Sequence, residues 1–226
     1  MIQDEIALSL ETESIEKTLS IVELIKSGGL AGQLIIALLT GLLVVALYIY
    51  FERLFTIKAA SKVDPNFMNQ IKDHVVNGKI EAAKALCVNV NSPVSRLIHK
   101  GISRIGRPLA DINSAIENAG KLEVYSLEKN VSILATISGA APMIGFLGTV
   151  IGMILSIFEI ANSGGQIDIK LLADGLYTAM TTTVAGLVVG IIAYISYNHI
   201  VGRTNKVVYQ MEANSVEFLD LLNEPI

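Results

Sequence analysis

The sequence predicts an all-α membrane protein with three transmembrane helices, two of which extend into a cytoplasmic helical bundle. Of the 226 residues, 52% are hydrophobic and 17% are charged, whereas soluble domains carry about 25% charged residues. Residues 134–194 hold two long apolar runs that are rich in small residues. The net charge of −4 offers no basic footprint for nucleic acid.

Residues 1–29 predict an amphipathic helix on the periplasmic side. Six acidic residues stand here against two lysines, and Ile15, Leu19, Val22 and Ile25 recur at helical spacing. Such a helix lies at a membrane surface or against other subunits. The segment lacks the basic region and apolar stretch of a cleavable signal peptide.

Residues 30–51 predict the first span. These 22 residues carry no charge, and at about 1.5 Å per residue they cover roughly 33 Å, enough for a hydrocarbon core of about 30 Å. Arg53, Lys58 and Lys62 follow the span. Because cations mark the cytoplasmic flank, the amino terminus is expected outside and residues 52–130 inside.

The cytoplasmic region, residues 52–130, predicts several short helices. Their starts are indicated by Asp64-Pro65, Ile80 and Ser92-Pro93. From Ile112 to about Ala161 we expect one uninterrupted helix, cytoplasmic first and transmembrane after. Four cations recur at steps of four, four and three, which indicates either a solvated face or contact with anionic headgroups or an acidic neighbouring subunit. They are Arg96, Lys100, Arg104 and Arg107.

The second and third spans are predicted at residues 131–161 and 171–201, joined by a periplasmic loop at 162–170. Arg203 and Lys206 follow the third span and place the carboxyl terminus in the cytoplasm. Residues 202–226 keep helical spacing, so the third helix is expected to continue beyond the membrane.

Each of these two spans gathers its small and hydroxyl side chains on one face of the helix. On the third span the face comprises Gly175, Thr178, Ala179, Thr182, Thr183, Gly186, Gly190 and Ala193. On the second span it comprises Ser138, Ala141, Pro142, Gly145, Gly148, Thr149, Gly152, Ser156 and Glu159.

Two interpretations of these faces compete. The pairs Gly148/Gly152 and Gly186/Gly190 are small-xxx-small motifs, which allow close packing of membrane helices; Pro142 and Gly145 belong with them. Alternatively, the hydroxyls face a narrow polar lumen, because polar groups at membrane depth generally face an interior. The candidate pathway residues are Thr149, Thr178, Thr182, Thr183 and Ser156. Glu159, near the outer end, lies at a hydrated rim or serves ion entry.

Catalytic and metal chemistry are not indicated. Cys87 is the single cysteine, and His74, His99 and His199 do not stand at the spacing of metal ligands. No pairing of a nucleophile with a base is evident. We therefore predict that the protein is not an enzyme and needs neither metal nor cofactor.

Two motifs resemble the ExbB/TolQ/MotA proton-channel family, and within it ExbB most closely. Residues 141–154 read APMIGFLGTVIGMI and are similar to the family's A-P-x-x-G-x-L-G-T-V-x-G-M-I motif. Residues 175–187 read GLYTAMTTTVAGL and resemble its third-helix motif. MotA, with four spans, is a poorer match than ExbB and TolQ.

The resemblance implies a homopentamer in the bacterial inner membrane. Its second and third helices would line a pore that encloses helices of an ExbD- or TolR-like partner, and the motor would act on TonB or on the Tol–Pal system. Thr149 and Thr183 match the family's pore-lining threonines. Thr178 stands where many members have a glutamate, so the protonatable group is expected to be the partner's aspartate. The sequence leaves three alternatives: the role is that of ExbB or of TolQ, the ion is a proton or sodium, and the assembly is a motor or a non-conducting scaffold.

Overall fold

The computed structural model describes residues 29–62, 64–162 and 169–223, and within these ranges every regular element is an α-helix. Of the predicted amphipathic helix over 1–29, residues 1–28 lie outside the described residues, as does most of the predicted loop over 162–170. The helices are α1 (Gly29–Ala60), α2 (Phe67–Val76), α3 (Ile80–Val90), α4 (Pro93–Ile102), α5 (Leu109–Leu127), α6 (Val131–Asn162) and α7 (Ile169–Asn223).

Three of these helices, α1, α6 and α7, are long and apolar enough to cross a membrane, as predicted. Only 22% of the most apolar window of α1 and of α6 is buried within the chain, and 39% of that of α7. Their remaining apolar surface is therefore available to lipid or to other chains. The prediction of an all-α membrane protein is confirmed.

The described residues divide into two compact units, one built from 29–42 and from those within 140–190, the other from those within 43–139 and 191–223. In the second unit, α2 to α5 pack consecutively around an apolar core that includes Phe67, Ile71, Ile98, Ile116 and Phe218. Such burial stabilises by roughly 1.5–3 kcal/mol per large side chain.

The predicted start of α4 is confirmed by its cap. Ser92 and Ser95 form a reciprocal capping box, in which the Ser95 amide donates to the Ser92 hydroxyl and the Ser92 amide to the Ser95 hydroxyl. Pro93 occupies the first turn, where its missing N–H costs nothing. The predicted apolar side of α4 is buried, with Val94 and Leu97 at 3% exposure or less.

Two predictions about helix limits are wrong. The helix expected from Ile112 to Ala161 is two helices, because α5 ends at Leu127 and α6 begins at Val131. Asn130 between them has φ of +63°, a left-handed conformation that asparagine tolerates and that a helix does not continue through. In addition, α2 begins at Phe67, because the Asp64 carboxylate accepts the Asn66 amide (2.9 Å) in a turn before the helix.

The four predicted cations have two different settings: Arg96 forms an intrachain ion pair, and the other three are exposed. Arg96 donates from Nε and Nη2 to the two carboxylate oxygens of Glu123, each at 2.6 Å, and so joins α4 to α5. This carboxylate raises the pKa of the Arg96 guanidinium further above its ordinary value. Lys100, Arg104 and Arg107 are exposed, as a solvated face requires.

Cys87 should be chemically inert in the folded protein. Its side chain is 1% exposed, and burial raises the pKa of the thiol to about 11, so little reactive thiolate forms near neutral pH. At pH 8 we expect labelling by a maleimide to be about tenfold or more slower than in denaturant. Val88→Cys in a Cys87→Ala background is the matched control, because Val88 is 65% exposed. Equal labelling of both thiols would contradict the buried position.

Candidate functional site

The small faces of α6 and α7 pack directly on each other in the first unit. A methyl group built on Gly145 would lie 2.8 Å from the carbonyl oxygen of Thr182 and 3.0 Å from Cα of Gly186. One built on Gly186 would lie 2.6 Å from the carbonyl oxygen of Ala141. Because these neighbours are backbone atoms, the helices approach closely only where both carry glycine.

The contact continues along both helices, toward the C-terminal end of α6 and the N-terminal end of α7. Gly148 lies against the Thr182 side chain, and a methyl group built on Gly152 would meet Cβ of Ala179 at 3.1 Å. Gly175 lies against the Ser156 hydroxymethyl group. Gly190 is buried as well. Within one chain, these glycines therefore serve the close packing of α6 against α7.

The opposite arc of α7 is exposed. Met180, Val184 and Val188 are 50–61% exposed, whereas Ala179 and Thr182 on the small face are fully buried. This matches the arcs predicted from the sequence. A bulky apolar face at membrane depth requires lipid or another chain against it.

Two threonine hydroxyls bridge the helices at the centre of this interface. Thr149 and Thr183 form a short hydrogen bond with each other across α6 and α7. Each hydroxyl also has a helix carbonyl as an alternative acceptor: Thr149 Oγ1 lies 3.1 Å from the Ala179 carbonyl oxygen of α7, and Thr183 Oγ1 lies 3.2 Å from the Gly145 carbonyl oxygen of α6. Because each hydroxyl has one hydrogen, at most two of these three hydrogen bonds form at a time. Both residues are half-buried, so the pair remains reachable from one edge of the interface.

The Thr149 and Thr183 hydroxyls can exchange hydrogen-bond partners. Each hydroxyl has one hydrogen and two lone pairs, and it stands beside a helix carbonyl in apolar surroundings. Such a pair can change which oxygen donates and can admit a further partner, water or an ion, without breaking either helix. Hydrogen bonds of threonine between membrane helices also contribute to helix association, together with the close contacts of small residues.

Among the other predicted pathway residues, Thr182 and Ser156 donate their hydroxyl hydrogen bonds within their own helices, and Thr178 and Glu159 have other surroundings. Thr182 is fully buried, and its hydroxyl donates back to the Ala179 carbonyl (2.9 Å). Ser156 is 5% exposed and bonds its own helix at the Gly152 carbonyl (2.9 Å). Thr178 faces α1, where its methyl group would be 2.8 Å from a methyl group built on Gly32. Glu159 is exposed near the end of α6.

Pro142 has a different setting from the glycines with which the sequence grouped it. It is half-buried inside α6, and with Met143, Phe146, Leu147 and Val150 it borders an apolar groove of about 430 Å³ on the same helix. The groove is an outward surface of the first unit, and it fits lipid chains or another apolar helix.

Sequence reasoning missed three contributors to the site. The carbonyls of Gly145 and Ala179 accept the bridging hydroxyl bonds, and a backbone acceptor carries no residue signature. Gly32, which opposes Thr178, had only a weak signal, because it stands among other small and polar residues (Gly29, Ala31 and Gln33) at the start of α1. Among the described residues, no group of three His, Cys, Asp or Glu side chains is placed to hold a metal ion.

A comparison with protein-family models gives one match. Residues 89–213, more than half of the 226, match the model described as the MotA/TolQ/ExbB proton channel family. The matched range includes both small faces and the Thr149–Thr183 pair.

Curated proteins named ExbB and TolQ are among the relatives of this chain. The chain is 27% identical over 194 residues to a putative biopolymer transport protein ExbB homolog of Methanothermobacter thermautotrophicus, covering 85% of this chain and 67% of that protein. It is 37% identical over 87 residues to the biopolymer transport protein ExbB of Aquifex aeolicus, covering 38% and 58%. It is 23% identical to the Tol-Pal system protein TolQ of Pseudomonas aeruginosa, covering 96% and 98%. The alignments thus span between just over half and nearly all of these relatives.

Proposed function

The chain belongs to the MotA/TolQ/ExbB proton channel family, and from this premise we propose that it is an ExbB-like subunit of a motor driven by the proton-motive force. In this proposal five copies form a ring in the inner membrane. The ring encloses transmembrane helices of an ExbD-like partner, and ion flow is passed to a TonB-like protein that energises outer-membrane transport.

The observation that carries the proposal is the Thr149–Thr183 pair. Two hydroxyls share a hydrogen bond and two helix carbonyls in the middle of an apolar helix pair. Such hydrogen bonds also stabilise pairs of membrane helices, and we propose that here their alternative acceptors serve ion transfer as well. We place the pair at the wall of the central pore, with its half-exposed edge toward the partner's helices.

The protonatable group is assigned to the partner. Between Asp174 and Glu212 the sequence of α7 has no acidic residue, and Thr178 occupies the position of the family's glutamate. Hydroxyls can relay a proton or coordinate an ion. Because Glu159 lies near the end of α6 and α7 has no acidic residue between Asp174 and Glu212, we propose that the carboxylate that changes charge within the membrane is the partner's aspartate.

The exposed apolar arcs support an assembly. Much of α1, α6 and α7 is exposed and apolar, and we propose that neighbouring copies and lipid share this surface. The orientation proposed is a periplasmic amino terminus and a cytoplasmic carboxyl terminus, which rests on the cations that follow the first and third spans.

A non-conducting scaffold is the second candidate, and the close glycine contacts favour it. Every glycine contact described between α6 and α7 is explained by helix assembly. The scaffold differs from the motor in one respect: it has no use for the Thr149 and Thr183 hydroxyls beyond their modest contribution to stability.

Affinity purification of the full chain from its native membrane tests the proposal. We expect a small single-span protein with an aspartate in its span to copurify, and native mass spectrometry to give five copies of this chain. An ExbD-like partner supports the ExbB role, whereas a TolR-like partner identifies the TolQ role instead. A complex of this chain alone, recovered in the mildest detergents, would contradict the motor.

A further inference from the structure

The second unit contains a small polar cavity. It has a volume of about 210 Å³ and is lined by Glu128, Val131, Ser132, Tyr197, Val201 and Thr204. Four of these six side chains carry oxygen, although the core around the cavity is apolar. Several water molecules fit in such a volume, because each takes about 30 Å³ in the liquid.

Thr204 is the reason to regard this cavity as a site. Its side chain is 2% exposed, and its hydroxyl oxygen has no hydrogen-bond partner among the described residues. Threonines in helices commonly bond a carbonyl of their own helix, as Thr181 and Thr182 do in α7. A buried hydroxyl without a protein partner is costly unless water satisfies it.

Glu128 connects the cavity to open solvent. Its side chain is exposed, and it borders both this cavity and a larger groove of about 560 Å³ between α5 and the last part of α7. The carboxylate therefore stands at the open side of the cavity, together with the exposed Ser132. The groove also carries Lys121 and Glu212, so its rim is hydrated.

We propose that this cavity binds ordered water that connects the Thr204 hydroxyl to the Glu128 carboxylate and exchanges protons with the cytosol. The exchange step rests on the proposed function, whereas the water site does not. In the exchange, a hydronium ion in the cavity gives its proton to the Glu128 carboxylate. The neutral acid then releases that proton to water in the groove and is ionised again.

Thiol labelling tests the water site independently of any function. In the full chain with Cys87→Ala, Thr204→Cys is compared with Ile200→Cys, one turn earlier on α7 and fully buried in the apolar core. The probe is the small cation methanethiosulfonate ethylammonium at pH 8. Because ionisation of a thiol needs water, we expect the Thr204→Cys thiol to react about tenfold or more faster. Equal rates would overturn the site.

Proton uptake into vesicles that contain the purified complex tests the exchange role. We expect Glu128→Gln to lower uptake severalfold, and Glu81→Gln, an exposed residue paired with Lys84, to leave it unchanged. Normal uptake in Glu128→Gln would overturn the exchange role. A wild-type complex without uptake would contradict both the proposed function and the exchange role. The water site would then be tested by the thiol labelling alone.

Discussion

Gly186→Ala should prevent the close pairing of α6 and α7. The new methyl group would meet the carbonyl oxygen of Ala141 at 2.6 Å and Cα of Gly145 at 2.8 Å. Both are backbone atoms, so no side-chain rotation can make room and the helices must separate. Overpacking of a tight core costs about 1–3 kcal/mol, and separation would also break the hydroxyl bonds between Thr149 and Thr183.

Two glycines elsewhere in the chain provide matched controls. A methyl group built on Gly139 of α6 or on Gly202 of α7 would have no atom within 4 Å among the described residues. Since alanine favours a helix over glycine by roughly 0.5–1 kcal/mol, Gly139→Ala and Gly202→Ala should be neutral or slightly stabilising. The same chemical change is thus expected to have opposite signs at contact and non-contact positions.

The measurement is the amount of protein in the membrane and its thermal stability in detergent. We expect Gly186→Ala to lower the melting temperature by several degrees or more, as a change of a few kcal/mol does, and to reduce accumulation. Gly145→Ala should behave like Gly186→Ala, because its methyl group would also meet backbone atoms, at 2.8 and 3.0 Å. Wild-type stability in both variants would show that the spans do not pair through these faces.

The arcs of α7 show what the sequence can determine. Helical periodicity alone separates Ala179, Thr182 and Gly186, which are buried, from Met180 and Val184, which are about 60% exposed. Periodicity succeeds here because a helix fixes the direction of each side chain. It does not fix what lies opposite. Thr178 shares the small arc with Thr182 and Thr183, yet it faces Gly32 of α1. The small arc of α7 is wide enough to contact two neighbouring helices, and periodicity does not tell which residue contacts which helix.

The break between α5 and α6 could not be predicted for a different reason. Glu128 and Lys129 are good helix formers, and the apolar pattern continues on both sides of them. The turn depends on Asn130 in a left-handed conformation, which is common for asparagine only as an isolated residue. Leu127 and Val131 are both buried next to the break, so tertiary packing overrides the local preference.

Removal of the two bridging hydroxyls is the change with the largest expected effect on function. Thr149→Val and Thr183→Val keep the branched shape of the side chain and remove its polar atom. The hydrogen bonds lost are worth about 0.5–1.5 kcal/mol each, so both variants should still assemble. If the pair belongs to the ion path, energy-dependent uptake should fall by about tenfold or more, equivalent to roughly 1.4 kcal/mol on the barrier.

Thr181→Val is the matched control. Thr181 lies on the same turn of α7 but points toward the bulky arc, and its hydroxyl bonds the Tyr177 carbonyl of its own helix (2.9 Å). The substitution removes the same chemical group from the same depth without touching the interface. Uptake in this variant should equal that of the wild type, with copurification of the partner and the melting temperature measured in parallel for all three variants.

These measurements distinguish the motor from the scaffold because the Thr149 and Thr183 hydroxyls have a different role in each. In a scaffold the hydroxyls contribute only to pairing, so Thr149→Val and Thr183→Val can lower uptake only in proportion to lost assembly. In a motor the bridging bonds must be exchanged whenever an ion or a protonated partner passes, so uptake falls while assembly and partner binding persist. Normal uptake in both assembled variants would leave the small faces as packing surfaces and remove the hydroxyl pair from the ion path.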